Sequence, residues 1–278
     1  VSENFRIKAA GGIYSQNLIS ANSDRDVVNL FYGFLSGPEN LQDNIIREDG
    51  SVVERTHSLQ KATHAIFGVE QDLGKNFTIN VEGYYKRFNQ LTNMNRNKLY
   101  DDNGDNFDIP DIAKKDFIIE TGDAYGFDAV FKYNIEKTYL WLVYSLGKVT
   151  RWDGVQTYSP VFDRRHNINI VATQKFGKNQ GWEVNLRWNL GSGLPFTQTQ
   201  GYYHLIDYSQ GLGTNANTTN SDNLSIIYAP INEGRLPAYH RLDLAVKRKI
   251  TISEKSEVNI TASVTNVYSR DNIFYVDR

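Results

Sequence analysis

Asp163-Arg164-Arg165-His166 places an acid, two guanidinium groups and an imidazole in one run, the residue types from which an acid-base pair is built. The spacing argues against that chemistry. Asp163 and His166 sit near the start of a predicted strand and three residues apart, so they point to opposite faces, and ion pairing at a rim is the expectation. His57 and His64 are seven apart and also on opposite faces, which does not suit shared metal ligation from one strand. Asp101, Asn103 and Asp105 imitate the opening of a calcium loop. However, Asn106 stands where glycine must turn the chain, and Ile112 where a bidentate glutamate belongs, so a solvated loop is expected. No nucleophile elbow, phosphate loop or zinc signature occurs. The sequence predicts no bond chemistry, no cofactor and no metal.

Composition narrows the classes further. Thirty basic and 32 acidic residues give a net charge of -2, which leaves no electrostatic footprint for nucleic acid. The absence of cysteine excludes a disulfide scaffold and a thiolate metal site. Mean hydropathy is -0.50 and no long apolar run exists, so a transmembrane helix is not expected. A membrane barrel is compatible with these values, because its strands are half polar by construction. Val1 to Arg6 lacks the basic and apolar regions of a signal peptide, so any export signal is expected upstream.

The elements that would position these residues are strands, and one stretch sets their design. In Gly181 to Gly191, Trp182, Val184, Leu186, Trp188 and Leu190 fall on one side, and Glu183, Asn185, Arg187 and Asn189 on the other. The apolar side runs over about nine residues, enough for a tilted strand to cross a bilayer, and carries tryptophan. These five residues are expected to face lipid. The same alternation recurs at residues 4–14, 57–72, 77–88, 124–133, 165–176, 240–250 and 258–268. Residues 138–150 differ in being apolar on both faces, so their inner face is expected to pack on something in the lumen. Tyr239 is expected to anchor a strand entry at the membrane interface.

Connections alternate between short turns (near 73–76, 134–137, 177–180 and 252–257) and longer segments, of which three are very long. Outer-membrane barrels sort their loops by rim in this way. The expected fold is an all-β, antiparallel transmembrane β-barrel wall of about nine to ten strands. A single-chain bacterial barrel closes with an even strand number, and an open sheet would leave backbone groups unpaired in lipid. Residues 1–278 are therefore read as one portion of a larger barrel.

Three phrases carry a resemblance: Val161 to Asn169, Trp188 to Thr197, and Arg235 to Leu244, supported by Ala9 to Leu35 and Thr265 to Tyr268. In this order they resemble the C-terminal part of the barrel of TonB-dependent outer-membrane receptors of the Bacteroidetes type. The resemblance implies a 22-stranded barrel in the bacterial outer membrane, closed by an N-terminal plug and importing a bulky or scarce nutrient with energy relayed by TonB. It implies as partners the chain's own plug domain and remaining strands, the TonB complex through the plug, and outer-membrane lipids, with room for a surface lipoprotein at the outer rim. The plug and the final strand are expected to lie outside these residues. Glu82, Asp128, Arg187 and Asp243 are expected to line the lumen and bond the plug. Tyr32, Phe34, Trp152, Tyr158, Tyr202 and Tyr203 are the aromatics expected near the outer rim, where they could stack on a ligand. The alternative is a passive porin-like or structural barrel, which would need no plug.

Overall fold

The computed structural model of the protein describes residues 4–16, 41–55, 59–204, 224–253 and 256–273. The first half contains β1 (Phe5–Gln16), β2 (Asn44–Ile46), β3 (Val52–Glu54), β4 (Gln60–Leu73), β5 (Phe77–Met94), a one-turn helix α1 (Asp111–Lys114), β6 (Phe117–Ile135) and β7 (Thr138–Trp152). The second half contains β8 (Thr157–Tyr158), β9 (His166–Phe176), β10 (Trp182–Gly191), β11 (Pro195–Phe196), β12 (Thr199–His204), β13 (Leu224–Tyr228), β14 (Gly234–Arg235), β15 (Tyr239–Ser253) and β16 (Ser256–Val264). Nine long strands make one antiparallel sheet in the order β1-β4-β5-β6-β7-β9-β10-β15-β16, and β8 extends it beside β7. Among the described residues no helix is long and apolar enough to cross a membrane, which says nothing of strands.

Register keeps the two faces distinct across the whole sheet. Leu73, Phe77, Tyr133, Leu140, Ala172, Leu186, Leu244 and Val264 stand opposite one another in succession, one per strand from β4 to β16. One residue away, on the other face, the row reads Asp72, Thr78, Lys132, Trp141, Val171, Arg187 and Asp243. A slip of one residue in any pair would interleave the two sets, so the alternation itself specifies the pairing.

Among the described residues, no second layer lies on the apolar face. Ile7, Phe67 and Ile260 are 52%, 59% and 56% exposed, and Trp182 is exposed while Val184, Leu186, Trp188 and Leu190 are half-buried. The described residues instead form a small packed cluster of Leu41, Phe117 and Ile119, with Ile45 against it, where the connection after β1 meets the start of β6. A water-soluble sheet would have to hide an apolar face of this extent.

Three departures from the sequence reading have physical causes. Strand β5 runs on to Met94, into residues expected to be a polar loop, because a bulge between Phe88 and Leu91 shifts the alternation without ending the strand. In the connection 192–238, expected as a long polar, glycine- and asparagine-rich segment, the described residues pair as β11 with β14 and β12 with β13. Tyr239 lies on the polar face with the Arg164 guanidinium over its ring at 5.9 Å, so it is not an interface anchor. His240, its neighbour, takes the apolar face and meets Tyr268 through Nδ1 and Oη at 2.7 Å.

Glycine has a specific duty at the centre of the wall. Tyr84 on β5 lies across the next two strands, and a Cβ on Gly147 would sit 2.7 Å from its hydroxyl. A Cβ on Gly126 would run into the Leu146 carbonyl oxygen and stand 2.8 Å from the same hydroxyl. The aromatic side chain thus covers backbone that glycine leaves bare, a device that holds strand register. Gly126→Ala is expected to destabilise the wall by about 1–3 kcal/mol, the range for overpacking, as measured by denaturant titration in detergent.

Candidate functional site

The polar face gathers its charges in two places. Near the short-turn end, Arg6 and Lys8 on β1 pair with Glu70 on β4, and Arg6 also reaches Asp72 at 2.6 Å. Glu82 lies over Gly68, accepts from Asn80 Nδ2 at 3.0 Å and stands 3.9 Å from Lys8. Asp128 faces Glu82 directly in register.

Toward the long-loop end, β9, β10 and β15 enclose a concavity of about 320 Å³ lined by Arg164, Asn167, Asn169, Arg187, Asn189, Tyr239 and Arg241, among others. Arg241 clasps Asp243 through Nε at 2.8 Å and Nη2 at 2.7 Å, and Asp243 also accepts from the Asn266 backbone N–H. Glu82, Asp128, Arg187 and Asp243 therefore share one face, as the alternation predicts, but they fall into separate clusters.

The rim holds two buried acids. Asp163 is fully buried and accepts from the Val149 backbone N–H at 2.8 Å, from Arg235 Nη2 at 2.6 Å, and more distantly from Arg165 at 3.4 Å. Arg235 Nη1 also donates to the Asp163 carbonyl oxygen at 2.6 Å. The expected rim ion pair is thus a buried clamp that ties β14 to the loop after β7. His166 is on the opposite face, where its Nδ1 meets Tyr144 Oη at 2.9 Å, so acid and imidazole do not converge.

Glu120, also fully buried, accepts from Tyr158 Oη at 2.7 Å and Asn93 Nδ2 at 3.0 Å, with Arg151 at 3.4 Å. The sequence reading missed it, although an acid directly after the run Phe117-Ile118-Ile119 is a signal that a partner must be supplied. Burial above all, together with the Glu120 carboxylate, pushes the Tyr158 phenol up to about 12. The native fold therefore holds this proton more tightly than the unfolded chain does. Its contribution to stability is complete below the ordinary value of 10 and is lost as pH rises through about 12. Ultraviolet titration should show Tyr158 ionising late, and Tyr158→Phe should remove that late step.

The rim aromatics divide accordingly. Tyr158 is 5% exposed, with Arg96 over its ring at 5.0 Å, so it does not present a face for ligand stacking. Trp152 is half-buried and donates Nε1–H to the Ile46 carbonyl at 2.9 Å, which pins the β2-β3 hairpin to β7. Tyr202 and Tyr203 remain exposed on β12, and as consecutive strand residues they point to opposite faces of that hairpin. Tyr32 and Phe34 lie outside the described residues, as does His57.

His64 packs against Tyr14, with ring centroids 4.4 Å apart and the planes tilted by 34°. In the calcium-like stretch Asn103 Oδ1 accepts from the Asp105 N–H, and Asp102 pairs with Lys115 at 2.7 Å. Among the described residues no group of three or more histidine or acidic side chains converges.

No protein-family model matches the sequence, and a comparison with curated proteins finds no match. Solved structures do match. FpvA of P. aeruginosa bound to a heterologous pyoverdine and iron aligns over 97% of this chain with a TM-score of 0.54 and 8% identity. The FrpB iron transporter of Neisseria meningitidis aligns over 97% with a TM-score of 0.53 and 12% identity. The chain spans 28% of the former and 33% of the latter. Likeness at this identity establishes the fold alone, an antiparallel sheet curved like the barrel walls of those two structures.

Proposed function

We propose that the chain is the C-terminal part of the barrel of a TonB-dependent receptor in the bacterial outer membrane, serving active import of a bulky or scarce nutrient. The observation that carries this is an apolar face that the described residues leave uncovered, kept in register across the nine-strand sheet and backed by a charged face and by connections sorted by length to one rim. On this reading lipid touches Trp182, Val184, Leu186, Trp188 and Leu190. Arg248, which stacks its guanidinium 4.7 Å over the Trp182 ring beside the short turn, marks the headgroup level. Glu82, Asp128, Arg187 and Asp243 face a lumen that holds the N-terminal plug, and the other strands of a 22-stranded barrel pair with β1 and β16.

Tyr202 and Tyr203 are the exposed aromatics best placed to meet a ligand from outside. FpvA and FrpB handle iron, one as a pyoverdine complex, so a ferric chelate is the cargo to try first. The Bacteroidetes-type phrases in the sequence are the ground for that branch of the family and for a surface lipoprotein as a further partner.

Cell fractionation and uptake test the proposal together. The protein is expected in the outer-membrane fraction, as a band whose mobility shifts on boiling. Uptake of a ferric chelate should stop both on deletion of the gene and on collapse of the proton gradient. Uptake that survives loss of the gradient would make the barrel a passive channel.

A further inference from the structure

The concavity between β9, β10 and β15 is short of negative charge. Three guanidinium groups line it, from Arg164, Arg187 and Arg241, and one carboxylate, Asp243, stands opposite Arg187 in register. That carboxylate is already held on both oxygens by Arg241 and on one by the Asn266 N–H. Asp163, the rim acid next to Arg164 in sequence, is already taken by Arg235, Arg165 and the Val149 N–H. Arg187 makes no hydrogen bond or close ion pair among the described residues and feels Asp243 only at longer range, while Arg164 lies over Gly191 with its guanidinium on the face of Tyr239. Three like charges gathered around a hollow with one committed counter-charge repel one another, and an anion relieves that repulsion.

The surroundings define the rest of the ligand. Asn189 donates its amide N–H to Asn169 Oδ1, which leaves the Asn169 NH₂ as a further donor on the lining. Beside the arginines the polar face turns apolar: Val171 stands opposite Arg187, Trp141 opposite Val171, and Val143 opposite Asn169. This is the face of β7 for which the sequence reading expected a packing partner.

We infer that this concavity is a binding site for a carboxylate carried on an apolar body, with the forks of Arg187 and Arg164 on the carboxylate oxygens and Trp141 and Val171 under the body. A planar guanidinium matches a carboxylate with two parallel hydrogen bonds, and a ring against tryptophan adds contact without needing further polar partners. The inference rests on the reading that this face lines the barrel lumen. Two sources supply such a group, namely a soluble ligand passing through the lumen or an acidic side chain of the protein's own chain lodged there.

Arginine labelling with phenylglyoxal, read by mass spectrometry on the intact detergent-solubilised protein, separates the cases. The probe is 1-naphthoate and its uncharged control is 1-naphthylmethanol. If the site takes a soluble ligand, Arg187 and Arg164 should label freely and be slowed at least about fivefold by a saturating concentration of the naphthoate, but not by the alcohol. If an acid of the chain fills it, both should label slowly without probe and faster as salt is raised, since salt screens the pair. Fast labelling under every condition overturns the inference, and so does slow labelling indifferent to both probe and salt. The double variant Arg164→Gln with Arg187→Gln should lose the soluble-ligand signal in calorimetry while keeping the boiling-dependent mobility shift that reports a folded barrel. Recovery of the same protein from outer or inner membrane reports separately on the barrel reading.

Discussion

Leu186→Arg is expected to lower the stability of the folded wall by about 2–4 kcal/mol in a phospholipid bilayer, the range for a basic residue at mid-depth on the lipid face of a barrel. Leu186 is central in β10, between Ala172 on one neighbouring strand and Leu244 on the other, in the row that stays apolar across eight strands. The charge would have no partner there. Polar groups near the short-turn end of the same face meet their own needs, as Thr138 does by donating to Gln174 Oε1 at 2.7 Å. Ser145→Arg is the matching control, because Ser145 lies on the polar face opposite Asp128 and Asn167. A change within about 0.5 kcal/mol is expected for it, as for surface substitutions generally. Denaturant titration of both variants in vesicles decides the matter, and equal losses would mean that lipid does not touch the apolar face.

Asp163→Ala is the second large effect. It removes the acceptor for Arg235, Arg165 and the Val149 N–H at once, and it leaves two guanidinium groups beside a cavity. The arginine side chains are 34% and 36% exposed, so water recovers part of the loss. A cost of about 3 kcal/mol is expected, the low end of the range for breaking a buried pair from one side. The damage should be local. Arg235 belongs to β14, which pairs with β11, so residues 192–238 should become sensitive to added protease while the boiling-dependent mobility shift persists. Asp163→Asn keeps an oxygen for the Val149 N–H and should fall between the two. Undiminished protease resistance in Asp163→Ala would mean that the clamp does not hold the loop.

Much of the wall was legible because strand geometry is local. Successive side chains point to opposite faces, so Trp182 to Leu190 displays its two sides in the order of its residues, and the short turns near Gly74 and Gly177 punctuate the hairpins. Where the period breaks, legibility ends. The bulge between Phe88 and Leu91 hides the last part of β5, since one extra residue reverses the pattern that identifies a strand.

The candidate site was legible in part. Alternation puts Glu82, Asp128, Arg187 and Asp243 on one face, but it is silent on which of them are paired. Asp163 and Arg235 are 72 residues apart, and only the course of the chain down β9, up β10 and back to β14 brings them together. The same closure commits Asp243 to Arg241 by hydrogen bonds, leaves Arg187 facing that shared carboxylate without a hydrogen bond of its own, and takes Tyr158 out of the ligand's reach by burying it on Glu120.

Local stereochemistry is written residue by residue, and so the strand class, the two faces and the rim-sorted turns follow from the order of amino acids alone. Charge balance is a property of neighbours across strands, and which charges are satisfied and which stand open was decided only when the sheet set its register.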